Sequence, residues 1–155
     1  MTSDEFARRA KEKMGTLYRV CYALVPQHAD REDAIQSALE KAFKKKDSLR
    51  EPKYFETWLV RIVINECHNV TRKGSRFQLY SEVPERKAPD TADPMLHDAL
   101  MALDEAQRLP IVLHYMEGYS VDEIAKMLKL PTGTIKSRMK RARERLRNIL
   151  EVMQP

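Results

Sequence analysis

The apolar residues in the first half of the chain recur every three or four positions, which is the period of an α-helix. This pattern predicts three helices, over residues 3–25, 30–43 and 54–74. The first helix ends before Pro26, and the third ends in a basic run closed by a glycine, as helices commonly do. In the second helix the polar residues fall on the outer face: Arg31, Glu32, Asp33, Gln36, Glu40 and Lys41.

The regular spacing stops after this third helix. The stretch that follows contains three prolines, scattered charges and no sustained period, a composition that is typical of a linker. We therefore predict two small helical domains, at residues 1–74 and 96–155, joined by a flexible linker at residues 75–95.

Helical spacing returns over residues 96–116, where leucines dominate the apolar positions. Pro110 interrupts this stretch, and because proline lacks the amide hydrogen of a helical residue, it predicts a kink or a break near Gln107. Gly118 ends the pattern directly before the next predicted element.

Residues 120–150 predict two helices joined by a sharp turn. Ser120 and Glu123 form a Ser-x-x-Glu capping box, which marks the start of the first helix. The Pro-Thr-Gly sequence at residues 131–133 interrupts the pattern and offers a threonine cap, so the second helix is expected to begin near Thr134. One face of that helix is apolar at steps of four and three: Ile135, Met139, Ala142, Leu146 and Ile149.

Positive charge is concentrated on this last segment. Residues 126–147 carry nine Lys or Arg against one acidic residue, whereas residues 96–125 carry one base against six acids. A helix-turn-helix places the start of its second helix in the major groove, where phosphates on both walls attract such a face. The net charge of +5 agrees with a polyanionic partner. A solvated surface helix is the alternative, but it explains neither the cap nor the one-sided charge.

Other chemistry leaves no signature in the sequence. The two cysteines lack Cys-x-x-Cys spacing, the four histidines form no metal-spaced cluster, and no catalytic triad or phosphate-binding glycine loop is present. We expect Cys21 and Cys67 to be small buried hydrophobes. No apolar run approaches the roughly 20 residues of a membrane span, and the acidic start is unlike a signal peptide. These observations predict a cytoplasmic protein without catalytic activity, metal, cofactor or membrane insertion.

Four motifs carry a resemblance to a known family. The front half contains DREDAIQ at residues 30–36 and FETWLVRIVIN at residues 55–65, and the back half contains EGYSVDEIA at residues 117–125 and GTIKSR at residues 133–138. In this order and spacing the chain resembles the bacterial RNA polymerase sigma factors of the extracytoplasmic-function type, in the sigma-70 family. The resemblance implies an all-α fold with a region-2 domain in front and a region-4 domain behind. It also implies a subunit that binds core RNA polymerase, directs it to promoters and assists promoter melting.

The resemblance assigns a docking surface to the second predicted helix. Asp33 and Gln36 match positions that dock on the clamp of the largest polymerase subunit. The acidic residue that usually follows the glutamine is Ser37 here, so the clamp contact is expected to depend more on Glu40 or Asp33. An anti-sigma protein that silences the factor is a further partner that the family implies.

The third predicted helix matches the part of the family that reads the minus-10 element as a separated strand. Asn65 matches the residue that reads a flipped base, and an amide suits this task because it offers both a donor and an acceptor. Trp58 has two interpretations, as a core residue or as a platform for a base, and its apolar neighbours favour the core. The other implied minus-10 positions are Arg50, Arg61, His68, Asn69, Arg72 and Lys73.

In the back half the resemblance implies contacts with the duplex minus-35 element. Thr134 and Arg138 are expected at phosphates, because a helix N-terminus suits anions. The positions matched to base reading in the major groove are Lys136, Ser137, Lys140 and Arg141. One rival function is an autonomous helix-turn-helix regulator that binds duplex operator DNA as a dimer, but it leaves the front motifs unexplained. A nucleic-acid enzyme is a second rival, and it lacks a carboxylate cluster or a nucleophile.

Overall fold

The computed structural model describes residues 1–74 and 93–153, without the side chains of residues 73 and 74. The chain divides into two compact units, Met1–Lys87 (the front unit) and Ala88–Pro155 (the back unit). All regular structure in the described residues is helical, which confirms the predicted all-α fold class. The predicted linker lies almost entirely outside the described residues, so the proposed domain bounds stay a prediction.

In the front unit the helix predicted over residues 3–25 is two helices. Lys13 separates them, with a ψ of 2° and an amide that bonds to the carbonyls of Ala10 and Lys11. The apolar spacing continues across this break, so periodicity alone does not detect it. The break allows the first helix to contact both the second and the third. The four helices are α1 (Ser3–Glu12), α2 (Met14–Leu24), α3 (His28–Lys44) and α4 (Phe55–Gly74).

The core of the front unit lies between α2, α3 and α4. Its fully buried side chains include Leu17 and Val20 of α2 and Leu59 and Val63 of α4. Short 3-10 helices in the connection between α3 and α4 bring the chain back to the same core. The packing leaves the outer faces of α3 and α4 available for other roles.

The two cysteines meet inside this core. Cys21 of α2 and Cys67 of α4 are free thiols with no exposed surface, which confirms the prediction that they are buried. Their Sγ atoms lie 3.1 Å apart. The sequence does not predict this proximity, because the two residues lack any spacing that would link them.

A buried arginine near the start of a helix binds the end of the preceding helix in each unit. Arg31, predicted on the outer face of α3, is only 5% exposed, so that prediction is wrong. Its Nη1 donates to the carbonyls of Val25 (2.9 Å) and Pro26 (3.0 Å), and its guanidinium lies 4.8 Å from the Tyr22 ring centroid. The side chain satisfies carbonyls that a helix end leaves without partners.

In the back unit the buried arginine is Arg108, which likewise binds the end of the preceding helix. Its Nη1 donates to the carbonyls of Met101 (3.4 Å) and Leu103 (3.0 Å), where the first helix of the unit ends. Burial lowers the pKa of the Arg108 guanidinium, and the nearby carboxylates of Glu105 and Asp104 oppose that shift.

The predicted break near Gln107 is misplaced. The chain turns at residues 102–104, and Asp104 occupies the N-cap position of the following helix. Pro110 lies inside that helix without ending it, and a π-helical turn follows at Val112–Met116, closed by a 3.1 Å bond from the Glu117 amide to the Val112 carbonyl. The helices of the back unit are α5 (Pro94–Met101), α6 (Glu105–Ile111), α7 (Val121–Leu128) and α8 (Thr132–Met153).

The helix-turn-helix has the predicted start and a different turn. The Glu123 amide donates to Ser120 Oγ (3.1 Å) and the Ser120 amide donates to Glu123 Oε1 (3.0 Å), which confirms the capping box. Lys129 makes the turn, with a left-handed φ of 55° and ψ of 46°. α8 then begins at Thr132, so this threonine is its first residue, and Gly133 belongs to its first turn.

Candidate nucleic-acid and docking surfaces

The basic face of α8 consists of four exposed residues on two successive turns: Lys136, Ser137, Lys140 and Arg141. The opposite side of the helix is anchored by the buried residues Ile135, Met139 and Ala142. Within the described residues no side-chain hydrogen bond or ion pair engages the four members of the face. They therefore present three free cations and one hydroxyl to the solvent at helical spacing.

The residues that flank this face are less exposed or take part in contacts within the protein. Thr134 and Arg138, predicted at phosphates, are half-buried beside it. Arg143 is tied to the π-helical turn, because its Nη1 donates to the Tyr115 hydroxyl at 3.3 Å. Near the turn before α8, an open groove of about 600 Å³ is lined by several residues, including Lys126 and Lys129. These two lysines place further positive charge beside the start of the helix.

The face of α4 that the resemblance assigns to minus-10 recognition, called the reading face below, is a single stripe of polar residues. Arg61, Asn65, His68 and Arg72 follow one another at steps of four, three and four, and Asn69 lies next to them. Asn65 and Arg72 are exposed, whereas the other three are half-buried. The stripe lies opposite the buried residues of α4, so its polar groups are turned away from the core.

A polar chain runs from this face to α3. The buried carboxylate of Glu66 accepts from Lys41 Nζ of α3 and from Asn69 Nδ2, the latter at 3.4 Å. Asn69 Oδ1 in turn accepts from Arg72 Nη2 at 2.5 Å. The sequence motifs give no reason to single out Glu66 or Lys41, because their partnership joins residues from two different helices.

The remaining minus-10 candidates lie in other settings. Trp58 is half-buried, and its ring centroid lies 5.9 Å from that of Phe55. One turn before Arg61 on α4, it borders both the apolar core and the reading face. Arg50 is exposed in the connection between α3 and α4. The side chain of Lys73 lies outside the described residues.

The surface of α3 that is predicted to dock on polymerase, called the docking face below, consists of Asp33, Gln36 and Glu40, which are all exposed along one side of the helix. Gln36 Nε2 donates to Glu40 Oε1 at 3.3 Å, so the amide and the carboxylate act as one polar pair. The face therefore presents two acids and an amide without burying any of them.

An apolar groove of about 470 Å³ lies beside the docking face, between α1 and α3. Its walls include Phe6, Leu39 and Phe43, and Gln36 and Glu40 line the same groove. Phe43 is 43% exposed, although the sequence pattern assigns it to the apolar inner side of its helix. The sequence pattern misses the groove because both walls resemble ordinary core positions.

No group of three or more His, Cys, Asp or Glu residues in the described part of the chain is placed to hold a metal ion. None of the helices in this part of the chain is long and apolar enough to span a bilayer.

Two family models match the chain. The model of Sigma-70 region 2 matches residues 11–77, which include α2, α3 and α4. The model of Sigma-70, region 4 matches residues 94–146, which contain the helix-turn-helix. Both matches agree with the order of motifs in the sequence.

Named sigma factors align with nearly the full length of this chain. The chain is 31% identical to the RNA polymerase sigma-E factor of Streptomyces avermitilis over 95% of this chain and 86% of that protein. It is 33% identical to the ECF RNA polymerase sigma factor SigM of Mycobacterium tuberculosis over 95% of this chain and 76% of that one. The solved sigma factor RpoE of Bartonella quintana, in complex with the anti-sigma factor NepR, matches with a TM-score of 0.82 at 29% identity, covering 96% of this chain and 98% of that one. The chain therefore belongs to the extracytoplasmic-function sigma factors of the sigma-70 family, which direct RNA polymerase to promoters.

Proposed function

We propose that this sigma factor reads the two promoter elements in different states. The basic face of α8 reads the minus-35 element as intact duplex, and the reading face of α4 reads the minus-10 element as a separated strand. The observation that carries the proposal is the contrast between the faces. The first offers free cations at helical spacing, whereas the second has an exposed amide, Asn65, between groups that are partly buried.

For the minus-35 element, the support is the geometry of α8. Lys136, Lys140 and Arg141 extend from the first turns of a helix whose other side is fixed in the core. Such side chains reach base edges in the major groove, and each well-placed contact contributes roughly 1–3 kcal/mol of discrimination. Thr134 and Arg138 then lie where the helix start meets the phosphates.

For the minus-10 element, the support is the chemistry of Asn65. Its amide has one donor group and one acceptor, so it can bond to the edge of a base that has left the stack. Arg61, His68, Asn69 and Arg72 flank it and are proposed to hold the separated strand. Arg50 and Lys73 complete the proposed set.

Docking on core polymerase is proposed for Asp33, Gln36 and Glu40. Their exposure without a structural role in the core supports this assignment. The apolar groove next to them supplies the buried contact area that a polar face alone lacks, because polar rims contribute little to affinity.

The proposal extends to organisation and regulation. We assign region 2 to residues 1–74, the linker to residues 75–95 and region 4 to residues 96–155. The chain contributes recognition and melting to the polymerase and carries out no chemistry itself, and its place of action is the bacterial cytoplasm, where polymerase works. The Bartonella relative was solved with an anti-sigma factor, and we propose that a comparable partner of this chain covers the docking face.

The test is abortive transcription with purified core polymerase. Matched promoters would be either fully duplex or pre-opened at the minus-10 element, each with an intact or altered element. Arg141→Ala is expected to lose discrimination against an altered minus-35 duplex, at about 1–3 kcal/mol. Asn65→Ala is expected to spare duplex binding and to lose the minus-10 base preference even on the pre-opened template. Arg147→Ala and Asn148→Ala, at exposed positions farther along α8, are the matched controls.

Two results would contradict the proposal. If both variants lose only duplex affinity and the pre-opened strand shows no base preference, the front unit does not read a separated strand. If the free chain binds promoter duplex tightly as a dimer without polymerase, the autonomous regulator is the better description.

A further inference from the structure

Glu66 is a buried carboxylate next to the proposed base-reading residue of α4. Only 8% of its side chain is exposed, whereas its partner Lys41 is 52% exposed. Removing a carboxylate from water costs several kcal/mol, and replacing a buried ion pair with apolar residues of similar volume is often neutral or stabilising. Stability therefore gives little reason for a glutamate at this position.

The contacts of Glu66 instead fix the orientation of a second amide. Asn69 Nδ2 donates to Glu66 Oε1 and Asn69 Oδ1 accepts from Arg72, so the amide has one defined rotamer and one defined flip state. One hydrogen on Nδ2 and one lone pair on Oδ1 remain available for a ligand. An amide that can flip presents a base with two opposite arrangements of hydrogen-bond donor and acceptor, whereas the Asn69 amide presents only one.

The ammonium of Lys41 completes the arrangement. It neutralises the buried carboxylate from the α3 side, and its exposed part brings a positive charge to the border of the same surface. Asn69 and Arg72 consequently hold their positions before any nucleic acid arrives. Pre-organised polar groups lose less free energy on binding than groups that must first be ordered.

We propose that Glu66 is a positioning residue for minus-10 recognition, which sets the orientation of Asn69 and Arg72 and is kept neutralised by Lys41. This inference rests on the proposed function of the α4 reading face. It predicts that the hydrogen-bond acceptor at position 66 governs base preference, and that the charge of the ion pair does not.

Two double variants separate these roles in the full chain bound to core polymerase. K41M/E66L removes both charges and the acceptor, and is expected to keep thermal stability while losing minus-10 base preference by roughly tenfold, as when an outer orienting partner is lost at a metal site. K41M/E66Q removes both charges and keeps an acceptor for Asn69, and is expected to retain the preference. The control is E56Q, which breaks the 3.1 Å ion pair between Glu56 of α4 and Lys13.

The measurement is abortive transcription on pre-opened templates that differ at single minus-10 bases, together with the thermal unfolding of each variant. Retained preference in K41M/E66L, or its loss in K41M/E66Q, would overturn the inference. Should K41M/E66L unfold, Asn69→Leu replaces it, because this change leaves the buried pair intact and must cause the same loss. If instead the unaltered protein shows no base preference on these templates, the proposed minus-10 recognition by α4 fails. This outcome is distinct from failure of the Glu66 inference, in which the unaltered protein keeps its preference.

Discussion

Replacing Arg31 with methionine is expected to destabilise the front unit by about 2–3 kcal/mol. The change removes a charged donor shared by two carbonyls at 2.9 and 3.0 Å, and hydrogen bonds to charged groups contribute roughly 1.5–3 kcal/mol. It also removes the guanidinium 4.8 Å from the Tyr22 ring, which adds about 0.5–1 kcal/mol. Removal of a positive charge from the first turn of α3 offsets this loss by about 0.3–1 kcal/mol, because a helix N-terminus disfavours cations. The methionine keeps the buried apolar stem packed.

Urea unfolding followed by tryptophan fluorescence measures this change, because the only tryptophan of the chain, Trp58, belongs to the front unit. With a slope of roughly 1–3 kcal/mol per molar urea, the midpoint should fall by about 0.7–3 M. Arg8→Met is the matched control, since the Arg8 side chain is 60% exposed and pairs with Glu12 of its own helix. A loss below about 0.5 kcal/mol for Arg31→Met, equal to an ordinary surface substitution, would refute the role assigned to the buried guanidinium.

Three further changes test the turn, the cap and the docking face. Lys129→Gly should stabilise the back unit by about 0.5–1 kcal/mol in thermal unfolding, because glycine adopts the left-handed conformation without steric cost; unchanged stability would mean that the backbone there is not strained. Ser120→Ala should cost about 1 kcal/mol in the same measurement, and Ser120→Thr should recover most of it, since threonine can also cap. Asp33→Ala combined with Gln36→Ala should weaken binding to core polymerase in a pull-down while helicity by circular dichroism stays the same; a variant that unfolds yet still binds would show that these residues are structural.

Short-range features of the fold could be predicted from the sequence. The capping box of Ser120 and Glu123 depends on residues three positions apart, and the buried face of Ile135, Met139 and Ala142 depends on helical spacing alone. The polar stripe of α4 follows from the same period. These signals are local, so they need no knowledge of the partner surface.

Features that depend on a distant partner could not be predicted. Arg31 is buried because it reaches the end of another helix, and hydropathy alone assigns an arginine to the surface. Glu66 is buried against Lys41, which is 25 residues away in the sequence, so no local pattern reveals their ion pair. The turn at Lys129 is a related case, because the left-handed residue is a lysine while the nearby glycine is helical.

The two buried thiols of the front unit can be used to measure how often this unit opens. Cys21 and Cys67 are the only cysteines of the chain, and neither has exposed surface. A thiol reagent can reach them only when α2 and α4 separate, so the rate of labelling without denaturant reports the population of opened molecules. Because the back unit contains no cysteine, labelling detected on this chain follows the front unit alone, and in holoenzyme it would compare the opening of that unit before and after a promoter is bound.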